Sequence, residues 1–213
     1  MTQLNYERDP AEIYRQSFAT IRHETDLSRF DQGMQQLAIR LIHACGMVDV
    51  VDDIAYSKGA FEAGRNALQQ GAKVICDVEM VRYGVITRLL PKENDVLCLL
   101  NSPEVRPLAE QKATTRSAAQ VDLWLPYLEG SIIAIGNAPT ALFRLLELLD
   151  VGCAKPALIL GLPVGFVGAA ESKAELDLNA RGVPYVTVTG RRGGSAMASA
   201  AVNALAGKLE NYG

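Results

Sequence analysis

Histidine is almost missing from this chain of 213 residues, which holds two, His23 and His43. Four cysteines occur without a CxxC pair, and HExxH is absent, so no Cys/His spacing suited to a bound metal is present. Cys45, Cys76, Cys98 and Cys153 each sit in apolar company, as reduced core residues do. Positive charge is also short. Lys and Arg number 21 against 24 Asp and Glu, a net charge of -3, which leaves no broad basic face for a nucleic-acid backbone. No apolar run approaches the ~18 residues of a membrane span. The opening MTQLNYERDP has none of a signal peptide's apolar stretch, so a cytoplasmic protein without a membrane anchor is expected. GxSxG and GxxxxGK[ST] are lacking, and no early strand runs into GxGxxG. A nucleophile-elbow hydrolase and a common nucleotide site thereby lose their usual signals.

What is present describes one globular unit. Apolar residues make up 49% and charged residues 21%, and 213 residues suit a single domain over residues 1–213. Asp9, Pro10 and Glu12 supply an N-cap, a proline at N1 and a glutamate at N3, followed by Tyr14, Phe18 and Ile21 at helical spacing. A second helix is predicted from Ser28–Asp31 to Gly46, with Met34, Leu37, Ala38, Leu41 and Cys45 on one stripe. A third runs from Ser57 to Gly71. Beyond Gly71, short apolar runs at residues 73–78, 95–100, 131–135, 156–160 and 184–188 alternate with helical segments, the last of them residues 193–210. This alternation predicts an α/β fold, three-layer αβα with a mostly parallel sheet and a helical N-terminal region.

Three late strands run through glycine into a helix, in IIAIGNAPTA, LILGLPVGFVGAAES and VTVTGRRGGSAMAS. Ligands of open parallel sheets bind beyond the carboxyl ends of strands, where free N–H groups favour anions. Arg191 and Arg192 in the last loop strengthen the expectation of an anionic ligand. His43 lies off the apolar stripe of its helix, beside Gln36 and Arg40 and one turn before Gly46. It is expected to face away from its own core, with the helix dipole favouring the imidazolium and Arg40 opposing it unless an anion intervenes. A proton donor near neutral pH results. Ser17, at the edge of the first helix's stripe, offers its hydroxyl either to the carbonyl four residues back or to a ligand. His23 reads as a surface residue. Asp77 and Glu79 fall on one strand face, where they either form an acid–base pair or cap a helix at residues 80–84.

The segments SFATIR, HACGMVD, CDVEMV, TRSAA, AIGNAPTALFRLLE, LGLPVGFVGAAESK and GRRGGSAM closely resemble the precorrin-8X methylmutase family, with the likeness running from about Asn5 to Ala206. The resemblance implies an isomerase of cobalamin biosynthesis that moves a methyl group from C-11 to C-12 of the corrin precursor, giving hydrogenobyrinate, with neither cofactor nor metal. It implies His43 as the catalytic donor of a proton or hydrogen bond. Ser17, Arg40, Arg116, Ser117, Asn137, Arg191 and Ser195 are the expected substrate contacts. A corrinoid tetrapyrrole as substrate and product, a homodimer with pockets near the subunit interface, and transfer contacts with neighbouring pathway enzymes complete these expectations. Two other readings stay open on the residues: a methylmutase acting on the cobalt-bearing precursor, and a noncatalytic corrinoid carrier. A nucleotide-binding regulator is more remote.

Overall fold

A computed structural model describes residues 4–208 of the chain. Helix α1 (Pro10–Glu24) starts as its sequence predicts, with the Asp9 carboxylate accepting from the Ala11 N–H and Pro10 at N1. The next helix, α2 (Gln32–Cys45), is capped by Asp31 through the Met34 N–H. It ends at Gly46, whose φ of 69° is the left-handed turn that favours glycine. A 3-10 turn (Val48–Asp53) leads into strand β1 (Ile54–Tyr56), which is followed by helix α3 (Ala60–Gln69).

The parallel part begins at β2 (Val74–Cys76), followed by α4 (Glu79–Gly84), β3 (Val96–Cys98), α5 (Val105–Gln111) and α6 (Arg116–Asp122). After these come β4 (Ile132–Ile135), α7 (Pro139–Asp150), β5 (Leu158–Gly161), α8 (Ala169–Leu178), β6 (Tyr185–Val188) and α9 (Ser195–Ala206). All five predicted strands are present, each shorter than its apolar run. Residues 209–210, the end of the last predicted helical segment, lie outside the described residues.

The sheet order is β1-β6-β5-β4-β2-β3, parallel throughout except for β1, which pairs antiparallel with β6. Strand residues alternate between two cores. Val74, Ile132, Ala134, Leu158, Leu160, Val186 and Val188 join α1, α2, α3 and α9 on one face. Ile75, Ile133, Ile135 and Ile159 join α7, Trp124 and Leu176 of α8 on the other. Two-faced burial explains why the strands read as continuous apolar runs. The three-layer α/β architecture with its helical N-terminal region is thus observed, with one antiparallel edge strand added. Because β1 begins opposite Val188, the last residue of β6, residues 46–53 connect the end of α2 to the carboxyl edge of the parallel strands.

Candidate active site

Tyr14, Ser17 and Phe18 share one face of α1, and Gln36, Arg40 and His43 share one face of α2, by the three- and four-residue spacing of helices. Where the two helices pack, the Ser17 hydroxyl and His43 Nδ1 are hydrogen-bonded at 2.8 Å. The Tyr14 ring lies 5.5 Å from the imidazole and the Phe18 ring meets it edge-on at 5.3 Å. Arg40 is buried, and its guanidinium carbon sits 5.9 Å from the Tyr14 ring centre and 5.7 Å from that of Phe18. His43 is therefore half-buried against α1 and does not simply turn away from the core. Ser17 bonds neither its own helix nor open space, because its partner comes from another helix.

The protonation expected from the sequence is reversed. Burial first, and then the Arg40 charge, lower the proton affinity of His43 below that of a free histidine. Both causes disfavour the imidazolium, in opposition to the partial negative charge of the helix end. With the ring neutral, a Ser17 O–H donating to Nδ1 leaves the proton on Nε2, which then acts as a hydrogen-bond donor.

At the carboxyl edge, Asp77 follows β2 and is fully buried. Its carboxylate accepts from the N–H groups of Gly136, Asn137 and Ala138 at 2.8, 2.9 and 2.8 Å, while Gln120 donates to its backbone carbonyl. Burial raises its carboxyl above the ordinary range against the opposing pull of these N–H groups. Asp77 thus neither pairs with Glu79 nor caps α4. Glu79 instead pairs with Arg82 of its own helix. The chain changes direction across the sheet between β2 and β4, the place where open α/β sheets bind ligands. Here the protein's own carboxylate takes the three N–H groups that the sequence offered to an anion, leaving the exposed Asn137 side chain at that position.

The loops after β5 and β6 are bound to each other. Gly194 N–H donates to the Leu162 carbonyl at 2.9 Å and Gly165 N–H to that of Arg191. A side chain on Gly193 would come within 2.4 Å of the Leu162 oxygen, so glycine is required by close approach. Arg191 is exposed, with its guanidinium 5.3 Å from the ring centre of Phe166, itself 86% exposed. Arg192, expected with Arg191 to favour an anionic ligand, is engaged by Asp49 and Asp53. Ser195 opens α9 directly beneath Gly136, on which an added Cβ would lie 2.8 Å from the Ser195 Cα. Arg116, at the start of α6, donates to the Leu100 carbonyl and to Asn101 Oδ1, and Ser117 beside it is half-buried.

The expected contacts therefore fall into three groups: Ser17, Arg40 and His43 between α1 and α2; Asn137, Arg191 and Ser195 beyond β4 to β6; and Arg116 with Ser117 near the β3 edge. Arg116 lines a recess of about 830 Å³ with Asn101, Arg106 and Thr114, while a larger recess of about 960 Å³ between α1, α2 and α3 includes Tyr14 and Phe18. His43 lines neither. Sequence reading missed Tyr14 and Phe18 as neighbours of His43, because their spacing is also that of ordinary core residues. It also missed Phe166, whose signal was an aromatic directly after Gly165 in a loop that closes at Gly168. Among the described residues, no group of three or more His, Cys, Asp or Glu side chains is placed to hold a metal ion, and no helix is long and apolar enough to cross a membrane.

The family model described as precorrin-8X methylmutase matches residues 12–208. The chain belongs to the precorrin-8X methylmutase family. A family relative from Pseudomonas aeruginosa, described as precorrin-8X methylmutase, is 59% identical over 207 residues, covering 97% of this chain and 100% of its own length. A second of the same description, from a Sinorhizobium species, is 52% identical over 206 residues, covering 97% and 98%. The crystal structure of the precorrin-8X methylmutase from Thermus thermophilus superimposes with a TM-score of 0.82 at 38% identity, covering 91% of this chain and 93% of that one.

Proposed function

We propose that this protein is the isomerase that moves the C-11 methyl group of precorrin-8X to C-12, giving hydrogenobyrinate in cobalamin biosynthesis. The match across residues 12–208 supports it, as do two relatives above half identity that carry the metal-free name. Substrate and product contain the same atoms. As the bond from C-11 to the methyl breaks, that to C-12 forms and ring double bonds rearrange, so the balance needs neither oxidant nor water. The task left to the protein is to fix geometry and charge.

His43 carries that task. The observation that supports this most is the 2.8 Å Ser17–His43 bond flanked by Tyr14 and Phe18, which holds one ring nitrogen and leaves the other to donate to the macrocycle. Arg191, Asn137 and Ser195 meet peripheral carboxylates from the carboxyl edge, with Arg116 and Ser117 contributing from the β3 side. Arg40 adds positive charge behind the aromatic rings. The working form is a homodimer, as the family resemblance implies, with the pocket near the subunit interface. Its place is the cytoplasm, where neighbouring pathway enzymes hand over the substrate.

Mixing purified protein with precorrin-8X while recording absorption tests the proposal. Appearance of the hydrogenobyrinate spectrum is expected, faster than any turnover of cobalt-precorrin-8 assayed alongside. Tight binding of hydrogenobyrinate without conversion of precorrin-8X would instead make the protein a carrier.

A further inference from the structure

Lys173 is fully buried in α8, yet it belongs to none of the contacts above. Its ammonium Nζ donates to the carbonyl of Arg192, and among the described residues no carboxylate lies within ion-pairing distance of it. The acid whose field reaches it is Asp53, which is itself bonded to Arg192. Burying an ammonium without a carboxylate partner is expensive, and a methionine would fill the same space with no charge to desolvate. Burial duly pulls the lysine down to about 8. Among the described residues, the acceptor it touches is the Arg192 carbonyl.

That acceptor sits at a junction. Residue 192 is held at both ends, by Lys173 at its carbonyl and by Asp49 and Asp53 at its guanidinium. On one side Gly193 fits beneath the Leu162 and Pro163 carbonyls. On the other stands Arg191, exposed and stacked beside Phe166. The clamp on its neighbour anchors the backbone from which the Arg191 side chain extends. We propose that Lys173 is a positioning residue that fixes the loop between β6 and α9, so that Arg191 and Phe166 together offer a cation and an aromatic face to the rim of the carboxylate-fringed macrocycle. This rests on the function proposed above.

The test uses Lys173→Met, Lys173→Gln, Arg191→Met and the double variant Lys173→Met/Arg191→Met. Lys173→Met is expected to raise KM for precorrin-8X, and Kd for hydrogenobyrinate, about ten-fold with kcat within about two-fold, since one charge-assisted contact is misplaced while His43 is untouched. Arg191→Met should do the same, and the double variant should be no worse than Arg191→Met, because two residues acting through one contact are non-additive. Lys173→Gln, which keeps a donor, should recover part of the affinity. Wild-type KM in Lys173→Met, a loss confined to kcat, or additive losses in the double variant would overturn the proposal. If the wild type neither converts precorrin-8X nor binds hydrogenobyrinate, the functional reading fails, and the clamp is then judged by amide exchange. The Gly193 and Gly194 amides should exchange at least about ten-fold faster in Lys173→Met while α8 stays protected; unchanged exchange overturns it. Should Lys173→Met fail to fold, Lys173→Gln carries both measurements, with intermediate KM and exchange expected and wild-type values counting against the clamp.

Discussion

Burial and a neighbouring guanidinium set the proton balance of His43 before any ligand arrives. A histidine whose affinity lies below the ordinary 6.5 is neutral at pH 7, so the donor it offers is an N–H of the neutral ring. From this, kcat/KM should stay nearly level from about pH 7.5 to 8.5, whereas a required imidazolium would make it fall throughout that range. The sign for stability follows the same shift. The unfolded chain takes up the proton more readily than the folded one, so the contribution of His43 is present above about 6.5 and lost as pH falls below it. Arg40→Met removes the second cause, and its His43 titration, followed by NMR, should move upward from the wild-type midpoint. Replacing the imidazole itself is the harsher change. His43→Gln should lower kcat by about 10²- to 10⁴-fold, the range of a positioned proton donor, and Ser17→Ala by roughly ten-fold through loss of ring orientation, both read by the absorption assay. His43 was legible because it stands off the apolar stripe of its helix. Its shift was not, since Tyr14, Ser17 and Phe18 come from a helix some way back in the chain, and a single helix does not reveal what covers it.

Caps and glycines made several elements readable. Asp9 with Pro10, and Asp31 with Gly46, bound α1 and α2 where the sequence says they should, because capping is a local matter settled by nearby residues. Strand β1 is different. Three residues, Ile54 to Tyr56, carry too little pattern, and their conformation is fixed by pairing with β6. Helix α5 escaped notice for a related reason, its two fully buried side chains, Val105 and Ala109, forming too narrow a stripe. The loop after β4 shows how a local reading fails. Gly136 to Ala138 look like an anion cradle until Asp77, brought alongside by the β2–β4 pairing, is seen to fill it. Asp77→Ala would strand three N–H groups, two of them on the buried residues Gly136 and Ala138. At about 1–3 kcal/mol each, partly relieved by water, the protein should lose roughly 3–5 kcal/mol and about 10 °C in melting temperature, measured by calorimetry.

At the scale of the molecule, the doubly covered sheet was legible because strands buried on both faces have no polar alternation to hide them. Which groups of site residues come together was less so, for it depends on strand order, and β4 lies beside β2 instead of β3. The proposed homodimer would bring a second copy to the three groups of expected contacts. Light scattering at micromolar concentration should therefore give twice the monomer mass, and a monomer retaining full activity would contradict that assembly. The pairing of Ile54 with Val188 also orders events during synthesis. The helix bearing His43 leaves the ribosome early, yet the segment that anchors its far end has nothing to zip against until the sixth strand has emerged. Nascent chains arrested before that strand should hold the histidine in place only loosely, so the last parallel strand acts as the keystone of chemistry encoded near the opposite terminus.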